Sequence, residues 1–210
     1  MAIIKGKNLV QIAGLFLFLV FLPLGSWYYL QTGLDYRLQA RSELQDIAPL
    51  PEFHLKNYND AVVHSNRFAD LLVVGYFYSP AHKAAYGDVL SRLKQQFDGR
   101  PDVCFVAFSE GPQRSAQAFL QEFEVADTSQ VFFLEGTGEE LGQLAQAAAL
   151  PEATGGLARN SHLFFADSSM IRGYYDLLRP DDLKLLVKHI TLNLHPLEEP
   201  DIIFLRETEK

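Results

Sequence analysis

Apolar positions in this chain fall into three kinds of run, and each kind predicts a different element. The first is an uncharged stretch over residues 8–34, densest over residues 12–24 and bordered by Trp27, Tyr28 and Tyr29. A helix rises about 1.5 Å per residue, so about 20 residues cross the roughly 30 Å core of a bilayer, and this run predicts an N-terminal transmembrane helix with its aromatic residues at one interface. Pro23 marks a place for a kink. The second kind is short and continuous, as in residues 71–78, 103–108 and 162–166. Without polar alternation, and rich in β-branched and aromatic residues, these predict strands covered on both faces. The third kind is amphipathic. Ala85, Val89, Leu93 and Phe97, with Tyr86 and Leu90 beside them, predict a helix that Ser79 caps, Pro80 starts and Gly99 closes. Residues 115–123 and 139–150 predict two further helices, and Leu183, Leu186, Val187 and Ile190 predict a last one that opens at Pro180 and ends near Leu194.

Turn chemistry orders these elements. Asn57, Asn59 and Asp60 separate β-like pieces at residues 52–55 and 61–64, which predicts a hairpin. Residues 131–134 read as another strand, and residues 167–169 as the turn of a second hairpin whose far strand is 170–175. Strands alternate with helices, and a hairpin and a helix close the pattern. That order describes an α/β fold, a mixed sheet flanked by helices with the layout of thioredoxin-like domains. The expected organisation is a membrane anchor over 1–30, a polar tether over 31–50 that can be helical near the membrane, the thioredoxin-like domain over 51–195 and an acidic tail over 196–210.

Charge narrows the partners. The net charge is −8, and because Lys5 and Lys7 precede the apolar run, everything after it carries −10. Such a surface excludes nucleic acid, which needs clustered Lys and Arg against phosphates. The short basic N-terminus favours the inside of the membrane, so the domain is expected on the periplasmic or other extracytoplasmic side of the plasma membrane, with residues 8–30 in contact with lipid. No small-x-small pattern precedes residues 26–29, so the segment is expected to stay uncleaved.

Reactive chemistry is sparse. Cys104 is the single cysteine, so an intramolecular disulfide is impossible, and its apolar surroundings predict a buried, inert thiol. Thiol peroxidase or reductase chemistry would need Cys104 exposed and acidic. Gly136, Gly138, Gly155 and Gly156 lack the strand, helix and lysine of a phosphate loop and read as turns. Ser79 and Ser109 sit at strand ends outside any Gly-x-Ser-x-Gly elbow. The acid pairs at residues 139–140 and 181–182 suit helix starts, and Glu198 and Glu199 suit solvent. No catalytic residue, cofactor or resident metal is expected, and the chain is not expected to be an enzyme.

Three segments, residues 74–79, 164–169 and 171–176, together with the anchor, resemble the SCO/SenC family of membrane-anchored, thioredoxin-like copper chaperones of cytochrome oxidase assembly. The resemblance covers residues 50–194 and implies a Cys-x-x-x-Cys loop after the first central strand and a histidine before the late hairpin. Those positions fall here on Pro80, Ala84 and about Arg159. Proline and alanine side chains have no donor atom, and the guanidinium places a fixed positive charge where a cation would sit. The expectation is therefore a divergent member with a degenerate copper site. It would be a non-catalytic interaction or assembly factor of the envelope, with a partner such as a respiratory oxidase subunit. The alternative is a copper or other metal carrier that uses imidazoles such as His82 and His162, with His64 nearby, since imidazole binds Cu(II) and Zn(II). His54, His189 and His195 carry less weight as ligands.

Overall fold

The computed structural model describes residues 6–110, 113–125, 129–151 and 161–194, and the chain divides into two units, residues 1–45 and 46–210. The first unit is one helix, α1 (Gly6–Glu43), with Pro23 in its interior. Within it Gly14–Asp35 are 22 residues long and apolar enough to cross a membrane, and none of their side chains is buried against protein. At about 1.5 Å per residue they span about 33 Å, a bilayer's hydrocarbon thickness. The helix runs beyond the apolar stretch, because residues 35–43 contain no proline or glycine to stop it. Much of the expected tether is thus helix.

The second unit is a thioredoxin-like α/β domain. Its strands are β1 (Ala48–Pro49), β2 (His54–Asn57), β3 (Val62–His64), β4 (Leu72–Phe77), β5 (Val103–Ser109), β6 (Val131–Glu135), β7 (His162–Asp167) and β8 (Met170–Asp176). Its helices are α2 (Lys83–Gln96), α3 (Gln113–Glu122), α4 (Gly138–Ala147) and α5 (Pro180–Asn193). The sheet order is β1-β8-β7-β4-β5-β6-β2-β3. β4, β5 and β6 run parallel, and β7 pairs antiparallel with β4. The tether's last residues belong to this sheet, for Ala48 and Pro49 pair with Ile171 and Met170. Pro49, which has no N–H to donate, is tolerated because β1 is an edge strand.

Strand periodicity sends alternate residues to two cores. Val73 and Phe77 of β4, Cys104, Val106 and Phe108 of β5, Phe132 and Leu134 of β6 and Phe164 of β7 meet Leu141 and Ala145 of α4, Ala148 just after it and Phe68. Phe77 stacks on Phe108 with ring centroids 4.8 Å apart, and Phe68 meets Phe132 edge-on at 5.2 Å. On the other face Tyr76 of β4 stacks on Tyr86 of α2 at 4.4 Å, and Phe119 of α3 packs on Phe133 of β6 at 5.2 Å. Pairs of this kind add about 0.5–1.5 kcal/mol each beyond burial alone. Tyr175 Oη lies 2.6 Å from His189 Nδ1 and joins β8 to α5 through a buried hydrogen bond.

Local chemistry sets the element ends. Ser79 Oγ accepts from Ala81 N at 3.3 Å and Pro80 takes the first helical position, but one 3-10 turn (Pro80–His82) intervenes before α2. Gly99, at φ +73°, turns the chain after that helix. Thr137 and Glu140 form a reciprocal capping box at the start of α4, and the Thr137 backbone and hydroxyl donors hold the Glu140 carboxyl below its ordinary range. Asn57 Oδ1 accepts from Phe133 N at 2.9 Å, which ties the β2–β3 hairpin to β6. The expected acidic tail, His195, Arg159 and the Gly155-Gly156 turn lie outside the described residues.

Candidate functional site

Function in an open α/β sheet gathers where strands deliver their carboxyl ends to helix-leading loops. In this domain that place is the end of β4, the central strand between β5 and β7. Every residue of β4 is buried. Tyr78 N still donates to Phe108 O at 2.7 Å, so the ladder continues one residue past the strand. Ser79 is 1% exposed. Then the chain surfaces: Pro80, Ala81 and Ala84 are all exposed. Pro80 and Ala84, the positions on which the resemblance to SCO/SenC proteins places thiolates, are exposed and carry no donor atom in their side chains.

Aromatic packing supports this junction from below. Tyr78 lies edge-on to Tyr86 at 6.3 Å and to Phe119 at 5.7 Å, beside the Tyr76–Tyr86 stack. Burial pushes the Tyr76 and Tyr86 phenols far above the ordinary tyrosine range, with a backbone hydrogen bond at Ser79 opposing the shift at Tyr76. The Tyr78 phenol is raised too, mainly by burial, with Lys83 pulling it down and Glu122 pushing it up. All three therefore stay neutral at physiological pH and serve as packing. Lys83 Nζ meets Glu122 Oε2 at 2.5 Å across the surface between α2 and α3, and that hydrogen bond holds the lysine above its usual range.

Histidines border the junction from two sides. His82 is half-buried in the 3-10 turn, with its Nδ1 buried and without a hydrogen-bond partner among the described residues. His162 opens β7, and because Leu163 pairs with Tyr76, it stands one position further along the end of β4. Among the described residues no three His, Cys, Asp or Glu side chains gather into a metal-binding group. His64 is the last residue of β3, at the end of the first hairpin and away from His82 and His162 in the sheet order.

Cys104 sits elsewhere. It is the second residue of β5, paired with Val73, toward the start of the strand and away from the Pro80 junction. It is 2% exposed, and burial pushes its thiol well above the ordinary range, against a smaller opposing effect of Arg67. A thiol so placed is neither exposed nor acidic, so the conditions for nucleophilic chemistry are unmet.

Two features escaped the sequence reading. One is the Tyr76–Tyr86–Tyr78–Phe119 support, whose members read simply as core. The other is a close His54–His64 pair, with ring centroids 4.3 Å apart across the β2–β3 hairpin. A cleft of about 600 Å³ adjoins His54, between Glu52, Phe53 and Leu55 on one side and Glu140 and Leu144 of α4 on the other, and it shares no lining residue with the end of β4.

No family model and no curated protein matches the chain. Solved structures do match its fold. A SCO1/SenC family lipoprotein from Bacillus anthracis str. Ames aligns over 71% of this chain and 96% of its own at 17% identity, with a TM-score of 0.56. A thiol:disulfide interchange protein of the thioredoxin family from Chlorobium tepidum TLS aligns over 70% and 97% at 13% identity, with a TM-score of 0.53. The thioredoxin domain of a thiol-disulfide oxidoreductase from Bacteroides vulgatus aligns over 69% and 96% at 14% identity, with a TM-score of 0.52. At these identities the likeness establishes the fold, a thioredoxin-like domain similar to SCO/SenC and thiol-disulfide exchange proteins, carried on a chain with one cysteine and no cysteine pair.

Proposed function

We propose that this protein is a membrane-anchored, non-catalytic thioredoxin-fold factor of SCO/SenC type, which binds a protein partner in the cell envelope during respiratory oxidase biogenesis. One observation carries the reading: the strand-to-helix junction after β4 keeps its place and exposure, while Pro80 and Ala84 offer no donor atom. Copper(I) transfer and disulfide exchange both require thiolates at such a site. A frame retained without them is suited to recognition. The SCO/SenC-like segments supply the link to oxidase assembly, and the basic N-terminus before the apolar helix supports an extracytoplasmic domain.

The test uses the full-length chain in its own membrane. Intact cells are treated with a cross-linker that does not cross the plasma membrane, the tagged protein is purified, and oxidase subunits are quantified against a control in which the same anchor carries an unrelated domain. Enrichment of oxidase subunits several-fold over the control is expected. Equal recovery from both would overturn the assignment to oxidase biogenesis, and a domain that is cross-linked only after the membrane has been permeabilised would overturn the orientation.

A further inference from the structure

We infer that the β2–β3 hairpin binds a borderline divalent transition-metal ion through the imidazoles of His54 and His64, with water or a donor from another molecule completing the coordination. This site is independent of the β4 junction and of the reading proposed for it.

The argument begins with register. His54 and His64 are direct cross-strand partners. Ser65 N donates to Phe53 O at 3.1 Å and Asn57 N to Ala61 O at 2.8 Å, so hydrogen bonds close the pairs on either side, and the alternation of an antiparallel ladder leaves 54 and 64 as a non-hydrogen-bonded pair. That is the class in which facing side chains come closest. The rings are 4.3 Å apart at an interplanar angle of 70°, so they meet edge to face and leave ring edges open. Neither imidazole forms a hydrogen bond or ion pair with any described residue, and both side chains are exposed.

The backbone beneath them is held. Phe53, Leu55, Val63 and Phe68 are buried in the core, and Asn57 pins the strand to β6. Two free imidazoles on a fixed hairpin thus stand ready to chelate, each needing only a side-chain rotation in solvent to place nitrogen about 2.0–2.1 Å from a metal. Glu52 and Glu140 line the cleft next to His54 and bring negative charge to the approach without joining the pair as a third ligand. Two nitrogen ligands leave the remaining positions open. Nitrogen donors select Cu(II), Ni(II) and Zn(II) over Mg(II) and Ca(II), which prefer oxygen, and within the series Cu(II) binds most tightly.

Tag-free full-length protein in detergent is titrated with Cu(II), Ni(II) and Zn(II) against a chromophoric chelator, alongside His54→Gln, His64→Gln, the double variant and a His82→Gln/His162→Gln control. The parent is expected to take up one equivalent, Cu(II) most tightly. Each single variant should lose about tenfold or more in affinity, at least what loss of an outer-shell partner costs. The double variant should be little worse than either single one, because the chelate is already broken. Electron paramagnetic resonance of the Cu(II) form should show coupling to two nitrogens. Parent-like affinity in both single variants, with circular dichroism confirming that all variants fold, would overturn the site. Loss of binding only in the His82→Gln/His162→Gln control would do the same and would assign the metal to the end of β4.

Discussion

β4 and the segment that follows it are contiguous in sequence and opposite in character. From Leu72 to Phe77 every residue is buried and paired to β5, and all but Phe77 are paired to β7 as well. Within a few residues Pro80, Ala81 and Ala84 stand in solvent. Substitution in the first stretch disturbs one or other of two packed cores, whereas substitution in the second touches little. Stability thus constrains the strand tightly and the junction hardly at all. Residues at such a junction can therefore change while the frame persists, and this chain combines a thioredoxin-like frame with a single cysteine and no cysteine pair.

The contrast can be broken most forcefully from the strand side. A Cβ added to Gly75 would lie 1.9 Å from Phe164 Cζ, and Phe164 is 1% exposed beside Phe77 and Phe108, with no room to withdraw. Gly75→Ala should lower stability by about 3 kcal/mol, as overpacking does. In a domain of this size that corresponds to a fall of about 6–12 °C in melting temperature. Trimming the obstructing ring with Phe164→Leu in the same molecule should recover part of the loss. A Gly75→Ala variant that melts with the parent would mean that β4 is not the rigid element described.

A second measurement compares Cys104 with a surface thiol. Because burial raises its pKa, the neutral thiol persists through the physiological range and thiolate forms only when the strand opens. A thiol reagent should label native protein orders of magnitude more slowly than denatured protein. At about pH 9, as at about pH 7, native labelling should stay far slower than labelling of the denatured protein at the same pH. Labelling of the folded chain as prompt as that of the denatured chain would return Cys104 to the active groups.

The smallest effect belongs to the junction. Pro80→Ser and Ala84→Ser should each change stability by no more than about 0.5 kcal/mol, the usual range for exposed positions without a structural duty. Matched thermal melts of the two variants and the parent would show it, and a large loss at either position would mean that the loop has been recruited into the fold.

The sequence made the strand legible for the same physical reason. Burial on both faces leaves unbroken apolar runs, which is how β4, β5 and β7 stand out, and Ser79 followed by Pro80 announces a helix start. The absence of a cysteine pair was legible too, since it is a property of residue type alone. Long-range pairing was not legible. Two residues such as Ala48 and Pro49 carry no strand pattern, and only their contact with Met170 and Ile171 makes them β1. The bulge at Phe165 and Ala166 is a register event that alternation alone does not specify. The His54–His64 pair lay within reach, for both residues fall in the expected first hairpin. Its register depends on how the chain turns at Asp60, which adopts φ +65°, and a shift of one residue would have parted the rings.

The central proposal, a thioredoxin-like frame whose junction after β4 offers no thiolates, is tested most directly by supplying them. Pro80→Cys/Ala84→Cys places two thiols four residues apart across the 3-10 turn by which the chain enters α2, at two exposed positions. Cu(I) competition under reducing conditions, against a chelator strong enough to outcompete imidazole alone, compares this variant with the parent. The account predicts that the parent takes no Cu(I) from the chelator and that the folded double variant does. A parent that competes as well as the double variant, or a well-folded double variant that competes no better than the parent, would contradict it.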